Sequence, residues 1–170
     1  MANDFYRQLG TGVSSLTFGV ALSVFIYAAA SVVSGFQAWL LFATSFLLML
    51  RFWWRYNELF VQFLPSRTFW HFLFDFAVSF FGILSVLSVG NMAMWAMLSA
   101  LAMLSSAVRC GLSWRGTAGQ KLKRTLYGAV GMLVIFGIVY ALAPLYSQLH
   151  IAAAVFAVVL VFVVYSSRKP

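Results

Sequence analysis

His71 and Asp75 are the pair of proton-carrying side chains whose spacing brings them together, since four residues apart they share one face of a helix. The remaining stock is small. Three acidic residues, two histidines and one cysteine among 170 residues supply no second carboxylate beside Asp75 and no serine with histidine and carboxylate partners. No glycine-rich phosphate loop is present either. An enzyme is therefore not expected, and neither is a cofactor. Cys110, alone in a basic stretch, can form no intrachain disulfide and no cysteine-rich metal site. Met92, Met94 and Met97 carry thioethers of the kind that hold Cu(I). Met92 and Met94 cannot face the same way on one helix, however, so no metal site is expected there.

Ionisable groups carry more weight in hydrocarbon than in water, and this composition belongs in hydrocarbon. Hydrophobic residues make up 64% of the chain and charged residues 8%, with a mean hydropathy of +0.96, whereas soluble domains are about 25% charged. Lipid must cover the apolar surface that such a chain cannot bury in itself. A net charge of +8 would suggest nucleic acid in a soluble protein, but here the basic residues sit in short stretches between apolar runs. A topology signal and contact with anionic headgroups account for them, so the bilayer is the expected partner and nucleic acid is not.

The apolar runs predict an all-α polytopic membrane protein with a single transmembrane domain over 1–170. It is read as a six-transmembrane-helix bundle of three short-turn hairpins, with helices over 12–34, 36–63, 68–89, 92–108, 125–146 and 151–166. Ser34-Gly35, Gly90-Asn91 and Pro144 with Ser147-Gln148 mark the outer turns, and Pro65-Ser66 and the loop 109–124 the inner ones. Arg7 followed by an apolar run ending in Ala28-Ala29-Ala30 also has the outline of a signal peptide. The run from Val13 to Val33 is long enough to span the bilayer and is read as helix 1. This division leaves no Lys or Arg in the outer turns, so both termini are predicted to be cytoplasmic, in a bacterial or archaeal inner or plasma membrane. Phe36, Trp39, Trp95 and Tyr146 form the expected outer aromatic belt. Trp53, Trp54, Tyr56, Trp70, Trp114, Tyr127 and Tyr165 form the inner one.

Those helices set the depth of the charged residues. Arg51 lies fifteen residues from the outer end of helix 2, and Asp75 fifteen from that of helix 3, about 22 Å down at the helical rise. Arg55 then falls level with His71, and Glu58 with Thr68. The expected site is an intramembrane charge cluster of Arg51, Arg55, His71 and Asp75. One use of it is an Arg51–Asp75 ion pair that fixes the register of helices 2 and 3. The other is a cation or proton relay through Asp75 and His71. Ser15, Gly19 and Ser23 form a small-residue stripe on helix 1, with shorter versions at Ala96 and Ala100 and at Gly128, Gly131 and Gly137. Such stripes pack helices within a bundle, drive self-association or line a pore, here with Thr17.

The stretch from Trp39 to Phe60, WLLFATSFLLMLRFWWRYNELF, resembles the second helix of the six-helix repeat in the endosomal and lysosomal potassium channel family and its prokaryotic relatives. Ser45-Phe46, Trp53 or Trp54, Asn57 and Leu59-Phe60 occupy the family's pattern. The resemblance implies six helices with both ends cytoplasmic. At the start of helix 1, where that family carries an Arg and a Phe-Ser-Asp signature, this chain has Ser14-Ser15-Leu16-Thr17-Phe18-Gly19, so no pore residue is carried over. Arg51 to Asn57 together with Trp70 to Phe76 also look similar to six-helix bacterial membrane proteins, which implies a fold and no activity. The function expected is an oligomeric membrane channel or transporter for a small ion or solute, with a cation the first candidate. The alternative is a non-catalytic accessory or scaffold subunit of a larger membrane complex, and the partners are accordingly further copies or other membrane subunits.

Overall fold

A computed structural model of the chain describes residues 2–61, 68–113 and 119–167. The segments 62–67, 114–118 and 168–170, with Arg67, Trp114, Arg115, Arg168 and Lys169, lie outside the described residues. Within them the chain is all-α: α1 Ala2–Ser31, α2 Gly35–Tyr56 continued by a π-helical turn Asn57–Val61, α3 Phe69–Leu87, α4 Met92–Leu112, α5 Gly119–Leu142 and α6 Gln148–Ser167.

Local chemistry explains where these helices begin. Gly35 takes φ of +80°, a backbone conformation that side chains with a Cβ resist, and this turns the chain from α1 into α2. The Asn91 side chain accepts the Met94 N–H at 3.1 Å and caps α4, while Thr68 accepts the His71 N–H at 3.5 Å to open α3. Helices α4 and α5 reach further into the basic loop than expected, to Leu112 and from Gly119, because Gly111 weakens a helix without ending it. Likewise α1 starts at Ala2 rather than near residue 12.

Five segments are long and apolar enough to cross a membrane: Gly35–Leu59, Phe69–Leu87, Met92–Leu112, Leu122–Leu142 and Gln148–Ser166. Their outward faces carry exposed apolar side chains such as Phe80, Val134, Ile138 and Val161, more than water tolerates. The chain is an integral membrane protein. Helix α1 adds a shorter apolar stretch, Leu16–Ser31.

Half of the α4 span is buried, against 17–22% of the other four, so the bundle is organised around α4. Helices α3 and α5 flank it, α2 lies along α6, and α1 leans on α3. The expected hairpins therefore differ in kind. Helices α3 and α4 pack along their lengths, whereas α1/α2 and α5/α6 are joined by short turns yet find their main partners elsewhere. Small side chains decide the α2–α6 contact: Ala38 and Ala152 are both buried there, which lets the backbones approach. At the same end Gln37 Nε2 donates to Gln148 Oε1 at 2.9 Å.

A single period runs through the buried faces. On α4 the buried residues Met92, Trp95, Ser99, Ala102, Ser106 and Arg109, with Ser113 just beyond the helix, alternate steps of three and four. Asp75, Val78 and Ser85 on α3 and Ala129, Met132, Phe136, Val139 and Ala143 at the end of α5 follow the same rhythm. This is the seam spacing of helices crossing at a shallow angle.

Candidate functional site

Asp75 finds its partner on α4. The Nε of Arg109 donates to Asp75 Oδ1 at 2.8 Å, with the two side chains only 2% and 6% exposed, and its Nη1 donates to the Ser113 hydroxyl. Asp75 lies fifteen residues before Gly90 and Arg109 nineteen after it, so their Cα atoms differ in depth by about 6 Å. Side chains lean toward the N-terminus of their own helix, and α3 and α4 run in opposite directions. Asp75 thus leans away from the Gly90 turn and Arg109 toward it, and the two lean toward one another across the gap.

The expected cluster is consequently divided. Arg51 does not pair with Asp75: its Nη2 donates to the Ser166 carbonyl at 2.9 Å, because α2 packs on α6 far more than on α3. That carbonyl belongs to the last turn of α6, where helical partners run out and a donor is needed in hydrocarbon. Arg55 Nη1 pairs with Glu58 Oε2 at 2.9 Å, one turn along its own helix. His71 Nδ1 lies 2.7 Å from the Thr68 hydroxyl. Arg51, Arg55, His71 and Asp75 thus each engage a partner outside the predicted cluster.

Asp75 borders a cavity of about 100 Å³ enclosed by α1, α2, α3 and α4. Thr17, Ser45, Ser79, Ser85 and Ser99 contribute hydroxyls to its wall, and Phe25, Val78 and Met103 are among its apolar members. Several of these hydroxyls already donate to their own helix: Ser45 to the Leu41 carbonyl at 3.0 Å, Ser79 to that of Asp75 at 3.3 Å and Ser85 to that of Gly82 at 2.8 Å. Their lone pairs remain as acceptors. Ser45 uses one to accept the indole N–H of Trp95 at 2.8 Å. Trp95 is fully buried against Phe136, ring centres 5.3 Å apart, and so belongs to the core rather than to the outer aromatic belt.

The small-residue stripe of α1 faces away from the bundle. Gly19 and Ser23 are exposed, with the Ser23 hydroxyl turned back to the Gly19 carbonyl at 3.0 Å, and the Ser15 side chain lies outside the described residues. Helix α1 instead buries Ala21, Phe25 and Ala28, and Phe25 and Ala28 pack beside Val86, Phe42 and Phe46. Nor do the methionines converge: Met92 is in the core while Met94 and Met97 are 47% and 39% exposed. Among the described residues no group of three or more His, Cys, Asp or Glu side chains could hold a metal.

Arg109, Ser45 and Ser99 escaped the sequence reading. The three-four stripe on α4 was the available signal, since it places Arg109 in phase with Trp95 and Ser99 rather than in a loop. The chain matches no protein-family model, no curated protein and no solved structure.

Proposed function

We propose that the chain is an oligomeric membrane channel or transporter for a small ion or polar solute, which it holds in the cavity between α1, α2, α3 and α4. The observation that carries this reading is the buried Asp75, paired with Arg109, bordering a space whose largely apolar wall carries five Ser and Thr hydroxyls. Ionised side chains are costly in hydrocarbon and sit preferentially on solute pathways. Because Arg109 neutralises Asp75, the cavity wall has no net charge from this pair. That favours a monovalent ion or a neutral polar solute over a divalent ion, whose dehydration needs uncompensated carboxylates. The resemblance of Trp39–Phe60 to a potassium channel helix agrees with a cation. In the same reading α1 is a sixth span, and the one-sided basic residues put both termini in the cytoplasm.

Gly82 provides the test. It lines the cavity, and a Cβ added there meets no atom within 4 Å, so Gly82→Leu fills the space without moving the backbone. Loss of a helical glycine also favours the helix, by about 1 kcal/mol. Purified protein in liposomes should pass K⁺, Na⁺, H⁺ or a small polar solute, and Gly82→Leu should cut that flux at least tenfold with no loss of thermal stability. Absence of flux for all of these, or a Gly82→Leu variant that conducts like the wild type, sinks the proposal.

A second reading, an accessory subunit, is favoured by one surface. Leu16, Gly19, Val20, Ser23 and Tyr27 of α1 with Leu87 of α3 form an open apolar groove on the outside of the bundle, suited to a neighbouring membrane helix. Purification only in company with a different membrane protein would decide for it.

A further inference from the structure

The largest charged feature lies apart from Asp75. At the end where Arg51, Arg55 and Arg124 meet, α2, α4, α5 and α6 leave a cavity of about 520 Å³. Its origin is the divergence of α5 and α6: they share an outer turn but take α4 and α2 as their main partners, so their far ends do not close on each other. The Phe162 ring bridges part of the gap, close to α5 because Gly128 has no side chain. A Cβ there would stand 3.2 Å from Phe162 Cζ.

We propose that this cavity seats one anionic phospholipid, with its phosphate among Arg51, Arg55 and Arg124 and an acyl chain against Leu48, Met132 and Phe162. Charge comes first. Glu58 balances Arg55, and no acidic residue is among the described residues lining the cavity, so Arg51, bonded to a neutral carbonyl, leaves an excess of one positive charge before Arg124 is counted. Arg51 spends one of its five N–H donors on Ser166, and the rest of the planar fork suits phosphate oxygens. Shape comes second. The lining combines the arginines, the Tyr127 and Tyr165 rings and the hydroxyls of Ser106, Thr125 and Ser166 with apolar side chains such as Leu48, Met103, Met132 and Phe162, a mixture that matches a headgroup joined to a chain. A free phosphate would leave the apolar wall unused, and a zwitterionic lipid would leave the charge excess unused. This inference is independent of the transport reading, because none of these basic residues borders the Asp75 cavity.

Delipidated protein in detergent, titrated with phosphatidylglycerol or phosphatidylcholine and read by native mass spectrometry, tests it. Phosphatidylglycerol should bind as a discrete first adduct at least tenfold more tightly than phosphatidylcholine. Arg51→Gln and Arg124→Gln should each weaken it about tenfold, the effect of losing a charge-assisted hydrogen bond. Arg124 is exposed, so its variant keeps the fold intact should Arg51→Gln fail to assemble. Lys123→Gln removes the same charge one residue away, outside the cavity lining, and should leave the affinity unchanged. An equal loss on Lys123→Gln would reduce the binding to general surface attraction and overturn the site. Displacement by glycerol 3-phosphate or inorganic phosphate at the same concentrations as the lipid would make it a phosphate site without a lipid seat, and equal retention of phosphatidylcholine would also overturn it.

Discussion

Replacing Asp75 by Asn removes one charge of a buried pair and leaves the other where it is. The Arg109 side chain is 2% exposed, so the cost is that of an uncompensated buried cation, about 3–5 kcal/mol. Arg109→Met strands the Asp75 carboxylate in the same way and should also cost about 3–5 kcal/mol. The double variant removes both charges and should cost less than the sum of the single variants, since neither charge is left buried without its partner. A coupling of at least about 2 kcal/mol follows, and the Arg51–Asp75 cycle should by contrast be additive within about 0.5 kcal/mol. Cys110, the sole cysteine and fully buried, supplies the assay: a thiol-reactive dye reports its exposure as the protein is heated, with circular dichroism as a check on local opening. At about 2–4 °C per kcal/mol for a chain of this length, Asp75→Asn should lower the midpoint by roughly 6–20 °C. Additive Asp75 and Arg109 variants, or a stronger coupling to Arg51, would refute the pairing and the argument from side-chain direction together.

Trp95→Phe keeps the ring against Phe136 but loses the bond to Ser45. It should cost about 1 kcal/mol by thermal melt, and Ser45→Ala should remove the same bond, so the two together should cost less than their sum. Trp95→Ala empties the centre of the core and should cost about 3–5 kcal/mol. Because Cys110 is sealed by Tyr56, Leu59 and Leu122, a membrane-permeant maleimide should label it only after denaturation; rapid labelling of the folded protein would contradict that packing. Gly128→Ala brings a Cβ to 3.2 Å from the Phe162 ring. The ring can turn aside, so the melt should fall by less than about 1 kcal/mol, and a collapse of the fold would show the α5–α6 contact to be tighter than described.

The helices were legible because hydrophobic length is the signal that a bilayer demands: each of the five spanning segments overlaps a predicted one. The partners of the charges were not, for two separate reasons. Sequence adjacency was taken for spatial adjacency, which holds for α3 and α4 but not for α2, whose face fits α6 through Ala38 and Ala152. Arg109 was assigned to a loop because a basic residue beside Gly111 resembles a topology anchor. Its phase with Met92, Trp95, Ser99 and Ala102 carried the contrary message. The Ser15, Gly19 and Ser23 stripe shows a related limit, since small residues mark a face on which something packs without saying whether that face turns inward, and Gly19 and Ser23 turn outward.

Depth counting itself survives, with a correction that changes which partner it selects. Two residues level at their Cα atoms on antiparallel helices do not have level head groups, because each side chain leans toward its own N-terminus. For an acid on a helix running outward and an arginine on one running inward, the heads meet when the arginine starts deeper, by about one turn given the length of its side chain. Asp75 and Arg109 satisfy that offset and Asp75 and Arg51 do not. Arg51 lies on a helix that packs on α6 far more than on α3, and its donor reaches the Ser166 carbonyl on that neighbouring parallel helix instead. The two arginines therefore have separate tasks, Arg109 neutralising the one carboxylate on the buried face of α3 and Arg51 completing the last turn of α6. Of the two, Arg51 is the one that lines the basic cavity.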